Sequence, residues 1–322
     1  MNSLKDFRKK LKKNLSKPKI VAILGPTSSG KSDLSVNLAK KFDGEIISAD
    51  SRQVYKGLDI GSGKVPLDRK LPSGYSLVAN YYYKGVPHHL LDIASPKKTF
   101  TVAEYKKLGK QTIEDTLKRG NLPIITGGTG LYIDALIYDM DFPKVPPDYK
   151  LREELEEKNT EELFKILKGL DKKRAESVDP NNRRRLVRAI EIIKSTGEPI
   201  SVIKRESPYD VLKIGIKISR EELKNRIQKR LDKRLKLGMI DEVEDLHNKG
   251  LSWRRLDDLG LEYRFISRHL RGIINYEEMR ESILRESYKY AKRQMTWWRK
   301  DKGINWIENP EEVDRLVKDF IK

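Results

Sequence analysis

The chain contains no cysteine and only four histidines among its 322 residues. Without cysteine, a disulfide framework, a thiolate nucleophile and cysteine-ligated zinc are all excluded. The absence of disulfides fits a reducing cytoplasm, which is where we expect the protein to work. No apolar run approaches the roughly 18 residues that a membrane-spanning helix needs, and the N-terminus lacks the apolar core of a signal peptide. The sequence therefore predicts a soluble protein without a membrane partner.

Positive charge, by contrast, is in excess. Lys and Arg number 67 against 48 Asp and Glu, which gives a formal net charge of +19. Such a field suits a polyanionic partner, although a solvated lysine-rich surface would give the same count. Residues 1–19 hold seven Lys and one Arg against one Asp, so the rest of the chain is basic as well. Residues 1–18 are predicted to form a basic N-terminal arm, either an amphipathic helix or a disordered segment.

Residues 25–32 carry the most specific motif of the chain. They form a complete G-x-x-x-x-G-K-[ST] phosphate-binding loop that follows the apolar run 20–24. The glycines let successive backbone N–H groups point at phosphate oxygens, the lysine adds a charge, and the final serine offers a hydroxyl to Mg²⁺. The predicted diphosphate or nucleotide ligands are Gly25, Pro26, Thr27, Ser28, Ser29, Gly30, Lys31 and Ser32.

Strand-like runs alternate with helical patterns along most of the chain. The runs stand at 20–24, 45–50, 89–93, 122–126, 211–218 and 303–307. This alternation predicts an α/β fold with a mostly parallel sheet, covered on both faces, and ligands at the carboxyl ends of the strands. The stretch 141–208 opens with three prolines and then has a helical pattern, so we expect an inserted helical subdomain. The core would then consist of 19–140 and 209–322, with helices at the C-terminal end.

Three further segments should meet the phosphate-binding loop at the carboxyl edge of the sheet. Asp50 follows the second strand, where an acid can serve catalysis or cap a turn. The segment Gly127–Gly130 follows the strand at 122–126 and can bring backbone N–H groups to a diphosphate, or simply form a turn. Arg226, Arg230 and Arg234 are spaced four residues apart, so they share one side of a predicted helix, either as phosphate ligands or as a solvated face.

The strand at 122–126 is followed by glycines rather than by an acidic residue. An ordinary P-loop ATPase uses an acid there to hold Mg²⁺ and to organise an attacking water. The sequence therefore disfavours hydrolysis and leaves a loop that can hold a diphosphate leaving group.

Several short motifs follow one another along residues 20–308. They are Gly25–Ser32, Ser48–Tyr55, Asp59–Gly61, Val86–His89, Gly127–Tyr132, Asp179-Pro180, Arg184–Glu191 and Ala291–Trp297. In content and order they resemble the signatures of the bacterial tRNA dimethylallyltransferases, also called tRNA isopentenyltransferases. The resemblance implies a P-loop NTPase-like core and transfer of the dimethylallyl group of dimethylallyl diphosphate to N6 of the adenosine just 3′ of the tRNA anticodon. Diphosphate would be released.

The resemblance also assigns catalytic roles. Asp50 would take the proton from the adenine amine, a poor nucleophile because its lone pair is delocalised into the ring. Loop N–H groups, Lys31 and Mg²⁺ near Ser32 would neutralise the departing diphosphate. The implied catalytic residues are Asp50, Thr129 and Arg230, and Arg226 is a further implied diphosphate ligand.

A tRNA-binding surface is implied too, because the target base must leave its stack to reach such a site. The implied contacts are Asp50, Ser51, Arg52, Gln53, Arg184, Arg185, Leu186, Val187, Arg188, Lys292, Arg293 and Gln294. A structural helix with a wet face, or core packing of the nearby tryptophans, would explain the two basic clusters equally well. No obligate protein partner is implied, and a monomer is the default expectation.

Two other functions are open at this point. A P-loop kinase of a nucleoside or small metabolite would use residues 25–32 and Asp50, but not the second basic module. A nucleotide-dependent RNA-binding protein would carry the same charge and form no covalent product. Whether ATP binds the loop is equally open.

A few features depart from the family's pattern or stand outside it. Leu261 and Arg234 occupy positions where members usually carry a tyrosine and an apolar residue, so local packing should differ. The Tyr-rich segment 67–84 is longer than its equivalent and is expected to be a lid or a solvent loop. The adjacent pair His88-His89 is expected to be structural rather than metal-binding, because neighbouring strand residues point to opposite faces.

Overall fold

The computed structural model describes residues 16–68, 81–200, 206–309 and 311–322. Most of the predicted basic arm 1–18 and of the Tyr-rich segment 67–84 lies outside these ranges. The chain divides into two compact units, one of Met1–Asp139 with Glu206–Lys322 and one of Met140–Arg205. None of the helices in the described ranges combines the length and the apolar character needed to cross a membrane.

The first unit is built on a sheet that has seven strands in the described residues. In chain order they are β1 (Lys19–Leu24), β2 (Gly44–Ser48), β3 (Tyr81–Tyr83), β4 (Val86–His89), β5 (Leu122–Thr126), β6 (Asp210–Ile216) and β7 (Ile304–Ile307). Their order across the sheet is β3-β4-β2-β5-β1-β6-β7. Neighbouring strands are parallel except at the edge, where β3 runs antiparallel to β4. The predicted α/β class with a mostly parallel sheet is confirmed.

Helices make up most of the remaining described chain. They are α1 (Lys31–Lys41), α2 (Val102–Lys118), α3 (Gly130–Ile137), α4 (Tyr149–Glu156), α5 (Thr160–Leu170), α6 (Lys172–Ser177), α7 (Arg183–Thr196), α8 (Arg220–Lys236), α9 (Met239–Asn248), α10 (Trp253–Leu259), α11 (Leu261–Leu270), α12 (Tyr276–Trp298) and α13 (Glu311–Ile321).

Strand β1 shows why the sheet is covered on both faces. Ile20, Ala22 and Leu24 point into a core shared with residues of the C-terminal helices α8 to α12. Val21 and Ile23 point the other way, into a core shared with α1 and α13. All five side chains are buried because successive strand residues alternate between faces and each face packs against helices.

The turns that follow β1, β2 and β5 meet at one edge of the sheet. Thr126 at the end of β5 is level with Ile23 on one side and with Ser48 at the end of β2 on the other. Parallel neighbours end at the same edge, so this register brings the phosphate-binding loop, the Asp50 turn and the Gly127 turn together.

Strand β4 differs from the sequence prediction. We expected a strand at 89–93, but β4 ends at His89. Leu90 and Asp92 have backbone φ angles of 63° and 54°, which an extended strand does not allow. The edge strand β3 was not predicted, and it pairs antiparallel with β4.

The second unit contains α4 to α7 around its own apolar core. Glu191 on α7 is fully buried there and accepts hydrogen bonds from the Arg152 guanidinium at 2.8 and 3.0 Å and from the backbone N–H of Asp148 at 2.7 Å. Arg188 completes an ion pair with the same carboxylate. This network joins α4 to α7 and explains how a carboxylate is tolerated in the core.

A buried carboxylate also ties the sheet to α2 in the first unit. Glu45 on β2 accepts hydrogen bonds from His89 Nε2 at 2.6 Å, from the Arg119 guanidinium at 2.6 and 3.2 Å, and from Asn121 at 2.6 Å. Burial alone would raise the pKa of Glu45, but the bonds from these three partners outweigh it and lower the pKa to about 2. The ion pair is therefore intact across the neutral pH range.

We expect Glu45→Gln to lower the free energy of unfolding at pH 7 by about 3 kcal/mol, because it removes one partner of a buried ion pair. Since the folded pKa of Glu45 lies below its ordinary value, its stabilisation is fully present above about pH 4.5 and is lost as the pH falls toward about 2. The free energy of unfolding, measured with urea from pH 7 to pH 3, should therefore fall less steeply with decreasing pH in the variant than in the wild type. Glu308→Gln, which removes an exposed pair with Lys217, is the control and should change stability little. An equal loss of unfolding free energy in both variants would contradict the stabilising role of the Glu45 ion pair.

Candidate active site

The phosphate-binding loop joins the end of β1 to the start of α1. Gly25, Ser28 and Gly30 have φ angles of 151°, 63° and 96°, and the positive φ of the two glycines is the conformation that their lack of a Cβ permits. Gly30 is the N-cap of α1, so the helix N-terminus faces the space above the sheet. Lys31 lies across the loop and donates from Nζ to the carbonyls of Gly25 at 2.8 Å and Pro26 at 2.7 Å. The loop has the concave form that binds anions.

A cavity of about 590 Å³ opens beside this loop. Its wall is contributed by the loop, by the turns after β2 and β5, by residues 62–66 and by one face of α8. The polar residues of its lining that concern the chemistry are Thr27, Ser29, Lys31, Ser32, Asp50, Gln53, Arg226, Lys229, Arg230, Lys233, Tyr290 and Gln294. The structure thus brings together residues that are up to about 270 positions apart in the sequence.

Two cations in the cavity wall are withdrawn from water. Burial, together with the charge of Arg230, lowers the pKa of Lys31 to about 7, although Asp50 acts in the opposite direction. Burial, together with the charge of Arg234, lowers the pKa of Arg230 to about 10. Each shift means that burial and the neighbouring cation disfavour the positive charge, so an anion bound between these side chains would be strongly attracted.

Asp50 forms the turn after β2 and lines the cavity. Its Oδ1 accepts the backbone N–H of Arg52 at 2.9 Å and of Gln53 at 3.4 Å. Within the described residues no hydrogen bond involves Oδ2. The expected turn-capping role is thus present, and it uses only one of the two carboxylate oxygens.

The Gly127–Gly130 turn packs directly on the Asp50 turn. A side chain at position 127 would collide with the carbonyl group of Ala49, which also accepts the backbone N–H of Thr129 at 3.0 Å. The Thr129 hydroxyl in turn accepts the backbone N–H of Ser51 at 3.0 Å. Thr129 therefore fixes the backbone next to Asp50.

Gln294 on α12 connects the same turn to the phosphate-binding loop. Its Nε2 donates to the Gly128 carbonyl at 2.8 Å, and its Oε1 accepts the backbone N–H of Thr27 at 2.8 Å. Tyr290, one helical turn earlier, donates to the same carbonyl at 3.1 Å. Gln294 is buried and lines the cavity, and its amide bonds the two loops to each other, so its contact with tRNA stays a prediction.

The three predicted arginines on α8 have different partners. Arg226 pairs with Glu222 and lies 3.5 Å from the Ser29 carbonyl, and Arg230 donates to the Gly63 carbonyl at 3.2 Å. Arg234 points to Glu262 on α11, with which it forms a buried ion pair at 2.7 Å. Arg234 therefore belongs to the packing behind the site.

Two lysines of α8 line the cavity without having been predicted. Lys229 and Lys233 belong to the same helix as Arg226 and Arg230 and stand three residues after them. Residues three and four apart share a helix face, so this spacing was the signal that the sequence offered for them.

The predicted RNA contacts of the second unit differ in how exposed they are to solvent. Arg184 and Arg185 are exposed, whereas Leu186 is fully buried and Val187 packs against the same apolar core. Leu186 is therefore corrected from an RNA contact to a core residue. Arg188 is half-buried, pairs with Glu191 and donates to the Val145 carbonyl at 2.8 Å.

Two basic side chains are also exposed near the end of α12. Lys292 and Arg293 are exposed, whereas Trp298 is buried. Trp297 donates its indole N–H to Asp134 at 3.0 Å. The alternative that the tryptophans pack in the core thus applies to Trp298. The described residues contain no group of three or more histidine and acidic side chains that could hold a metal ion.

Comparison with known proteins agrees with this geometry. A family model described as IPP transferase matches residues 53–301, and one described as isopentenyl transferase matches residues 18–75. A tRNA dimethylallyltransferase of Anoxybacillus flavithermus is 40% identical over 310 residues, which cover 94% of this chain and 95% of the relative. One of Acetivibrio thermocellus is 41% identical over 313 residues, which cover 94% and 96%. The chain belongs to the tRNA dimethylallyltransferase family.

Solved structures of this family share the fold. The tRNA isopentenylpyrophosphate transferase of Bacillus halodurans aligns with a TM-score of 0.68 at 35% identity and covers 95% of this chain and 97% of its own. A eukaryotic dimethylallyltransferase described as acting on tRNA aligns with a TM-score of 0.73 at 25% identity and covers 94% and 77%. The predicted family and the P-loop NTPase-like core are confirmed.

We expect diphosphate binding to be coupled to proton uptake by Lys31. With a pKa of about 7, Lys31 is largely neutral at pH 8, and an adjacent anion favours its charged form. Calorimetric titration of diphosphate at pH 8, in buffers of different ionisation enthalpy, gives the number of protons exchanged. The wild type should take up nearly one more proton than Lys31→Arg, whose guanidinium is charged throughout. Equal proton exchange in the two proteins would contradict proton uptake by Lys31.

Proposed function

We propose that this chain transfers the dimethylallyl group of dimethylallyl diphosphate to N6 of the adenosine 3′-adjacent to the tRNA anticodon and releases diphosphate. One observation carries the proposal: a single cavity contains a phosphate-binding loop, two half-buried cations and an acidic residue. Membership of the tRNA dimethylallyltransferase family supports the choice of donor and acceptor.

The cationic side of the cavity suits the leaving group. As the allylic C–O bond breaks, negative charge grows on the diphosphate, and preorganised N–H groups and cations stabilise that charge most where water is excluded. The loop N–H groups, Lys31 and Arg230 are the groups proposed for this role, with Arg226 as a further ligand.

The cavity lining also includes apolar side chains that suit the prenyl tail. They belong to Ile46, Val65 and Leu91, and the neutral ring of His88 lines the cavity as well. Burial is the main cause that lowers the pKa of His88 to about 4, so this ring carries no charge at neutral pH. Such uncharged side chains favour contact with a hydrocarbon group over contact with a further phosphate.

Asp50 is the proposed general base. Its Oδ1 is occupied by the turn, which fixes the orientation of the carboxylate, and its Oδ2 is available for the adenine amine. Thr129 supports this arrangement through Ser51, whose backbone N–H it binds. We therefore assign Thr129 a positioning role beside Asp50, in addition to any contact with substrate.

Mg²⁺ fits the oxygen ligands at the start of α1. Ser32 and Asp33 both line the cavity, and each carries side-chain oxygen atoms. Mg²⁺ prefers oxygen ligands and is commonly held by one or two protein groups together with substrate phosphates. When bound, the ion would neutralise part of the diphosphate charge.

For the tRNA we propose the exposed basic residues as phosphate contacts. Arg184 and Arg185 on α7, and Lys292 and Arg293 near the end of α12, are exposed and carry charge that the polyanion would neutralise. Ser51, Arg52 and Gln53, which adjoin the proposed base, are the proposed contacts to the anticodon loop. A monomeric state and a cytoplasmic location stay predictions.

A single assay distinguishes this function from its two alternatives. The protein is incubated with labelled dimethylallyl diphosphate and unmodified tRNA, and in parallel with labelled ATP and nucleosides. We expect label on tRNA adenosine in the first reaction and no phosphorylated nucleoside in the second. Phosphorylated product would indicate a kinase, and tRNA binding without a covalent product would indicate an RNA-binding protein.

We expect Asp50→Asn to lower the single-turnover rate of transfer by at least about 10²-fold, the scale of a general base. Asparagine keeps an oxygen that can accept the N–H groups of Arg52 and Gln53, so the turn should persist while the base is lost. Diphosphate affinity, measured by calorimetry, should change much less than the rate. A near-normal rate in this variant would limit Asp50 to capping the turn.

We expect Arg184→Gln with Arg185→Gln to weaken tRNA binding and to flatten its salt dependence. Each lost phosphate contact should reduce the log–log slope of affinity against salt by roughly 0.7 to 0.9. Lys165→Gln with Lys168→Gln removes the same charge from the exposed face of α5 and is the matched control. Equal changes in the two double variants would mean that the arginines contribute only net charge. Diphosphate affinity should be unchanged in both.

A further inference from the structure

The motif Asp59-Ile60-Gly61 binds a carboxylate of the same unit. Glu242 on α9 accepts the backbone N–H of Asp59 at 2.9 Å and of Ile60 at 2.6 Å through Oε2. Its Oε1 accepts the backbone N–H of Gly61 at 3.0 Å and the hydroxyl of Tyr263 at 2.9 Å. Three successive backbone N–H groups and one hydroxyl therefore converge on one carboxylate, the arrangement by which backbone turns bind anions.

Close packing keeps this arrangement in place. Tyr263 is almost fully buried, and a side chain at position 61 would collide with its ring. Burial, together with the charge of Glu242, raises the pKa of Tyr263 well above its usual range, so the hydroxyl stays protonated and can donate. Gly61 is therefore required by the approach of this ring.

The same turn ends at the cavity. The backbone N–H of Gly63 donates to the Ile60 carbonyl at 3.0 Å, and the Gly63 carbonyl accepts from Arg230 at 3.2 Å and from Gln53 at 3.3 Å. Gly63 has a φ of 64°, and any side chain there would collide with the guanidinium of Arg230. Within the described residues the Gly63 carbonyl is the hydrogen-bond acceptor of Arg230, so its position sets that of the guanidinium.

We propose that Glu242 is a positioning residue for the diphosphate site: by holding the backbone N–H groups of residues 59–61 it places the Gly63 carbonyl, and through it Arg230. The proposal rests on the proposed function in one respect, that Arg230 binds diphosphate. Without the carboxylate the three N–H groups lose their acceptor, and the turn is free to shift by the small distance that matters for aligning a cation.

A second set of contacts should keep such a variant folded. Lys64, which is buried, donates from Nζ to the Tyr55 carbonyl at 3.1 Å and to Asp59 at 2.5 Å, and also pairs with Asp92. These bonds hold the base of the turn independently of Glu242. Loss of Glu242 is therefore expected to displace residues 59–63 rather than to unfold the protein.

A double-mutant cycle on the affinity for inorganic diphosphate tests the proposal. We expect Glu242→Gln to weaken binding about tenfold, which is about 1.4 kcal/mol, while tRNA affinity is retained. The effect should vanish in the Arg230→Ala background, because a residue that acts through Arg230 has nothing left to position. Glu244→Gln, which changes an exposed carboxylate two residues further along α9, is the matched control and should bind diphosphate normally.

Additive losses overturn the proposal: if the Glu242→Gln, Arg230→Ala protein binds about tenfold more weakly than Arg230→Ala alone, Glu242 does not act through Arg230. Unchanged affinity in Glu242→Gln overturns it as well. Normal affinity in Arg230→Ala alone would instead count against the proposed diphosphate role of Arg230. Tyr263→Phe removes one donor and keeps the ring beside Gly61, so it should give a smaller loss that is again absent in Arg230→Ala. This second variant keeps the test decisive if Glu242→Gln fails to fold.

Discussion

Lys31 and Arg230 repel each other across the cavity, and their withdrawal from water strengthens that repulsion. The negative charge of Asp50 offsets part of this repulsion, because it favours the protonated form of Lys31. A diphosphate placed between the two cations would relieve much more. In the proposed site, binding of the anionic donor would therefore relieve this repulsion, which is how a site gains affinity for a leaving group.

The sheet register and several side-chain hydrogen bonds fix the backbone segments around Lys31 and Arg230. The parallel sheet brings three turns to one edge, and side chains from distant helices then join those turns to one another. Gln294 bonds the phosphate-binding loop to the Gly128 turn, and Thr129 bonds that turn to the backbone next to Asp50. Glu242 binds the backbone N–H groups of residues 59–61, which lead into the cavity residues 62–66. Preorganisation of this kind is what transition-state stabilisation requires.

The sequence was sufficient for the parts of the site that depend on local chemistry. The glycine-rich loop, the preceding apolar strand and the acid after β2 were all predicted, because motif and strand pattern are encoded within a few residues. The end of β4 was not predicted correctly, because the residue types at 89–93 do not indicate the positive φ angles of Leu90 and Asp92. The burial of Leu186 and Gln294 was not predicted, because a basic cluster does not tell which of its members point inward. The role of Glu242 depends on a partner about 180 positions away, which no local pattern contains.

The central claim is that the diphosphate binds between the two cations with its prenyl tail directed at Asp50 and the apolar side chains of the cavity lining. A crystal structure with an unreactive analogue of dimethylallyl diphosphate tests this most directly. We expect phosphate oxygens within hydrogen-bond distance of the loop N–H groups, Lys31 and Arg230, and the prenyl tail in contact with Ile46 and Leu91. A diphosphate bound away from Lys31 and Arg230, or a tail directed away from Asp50, would contradict it.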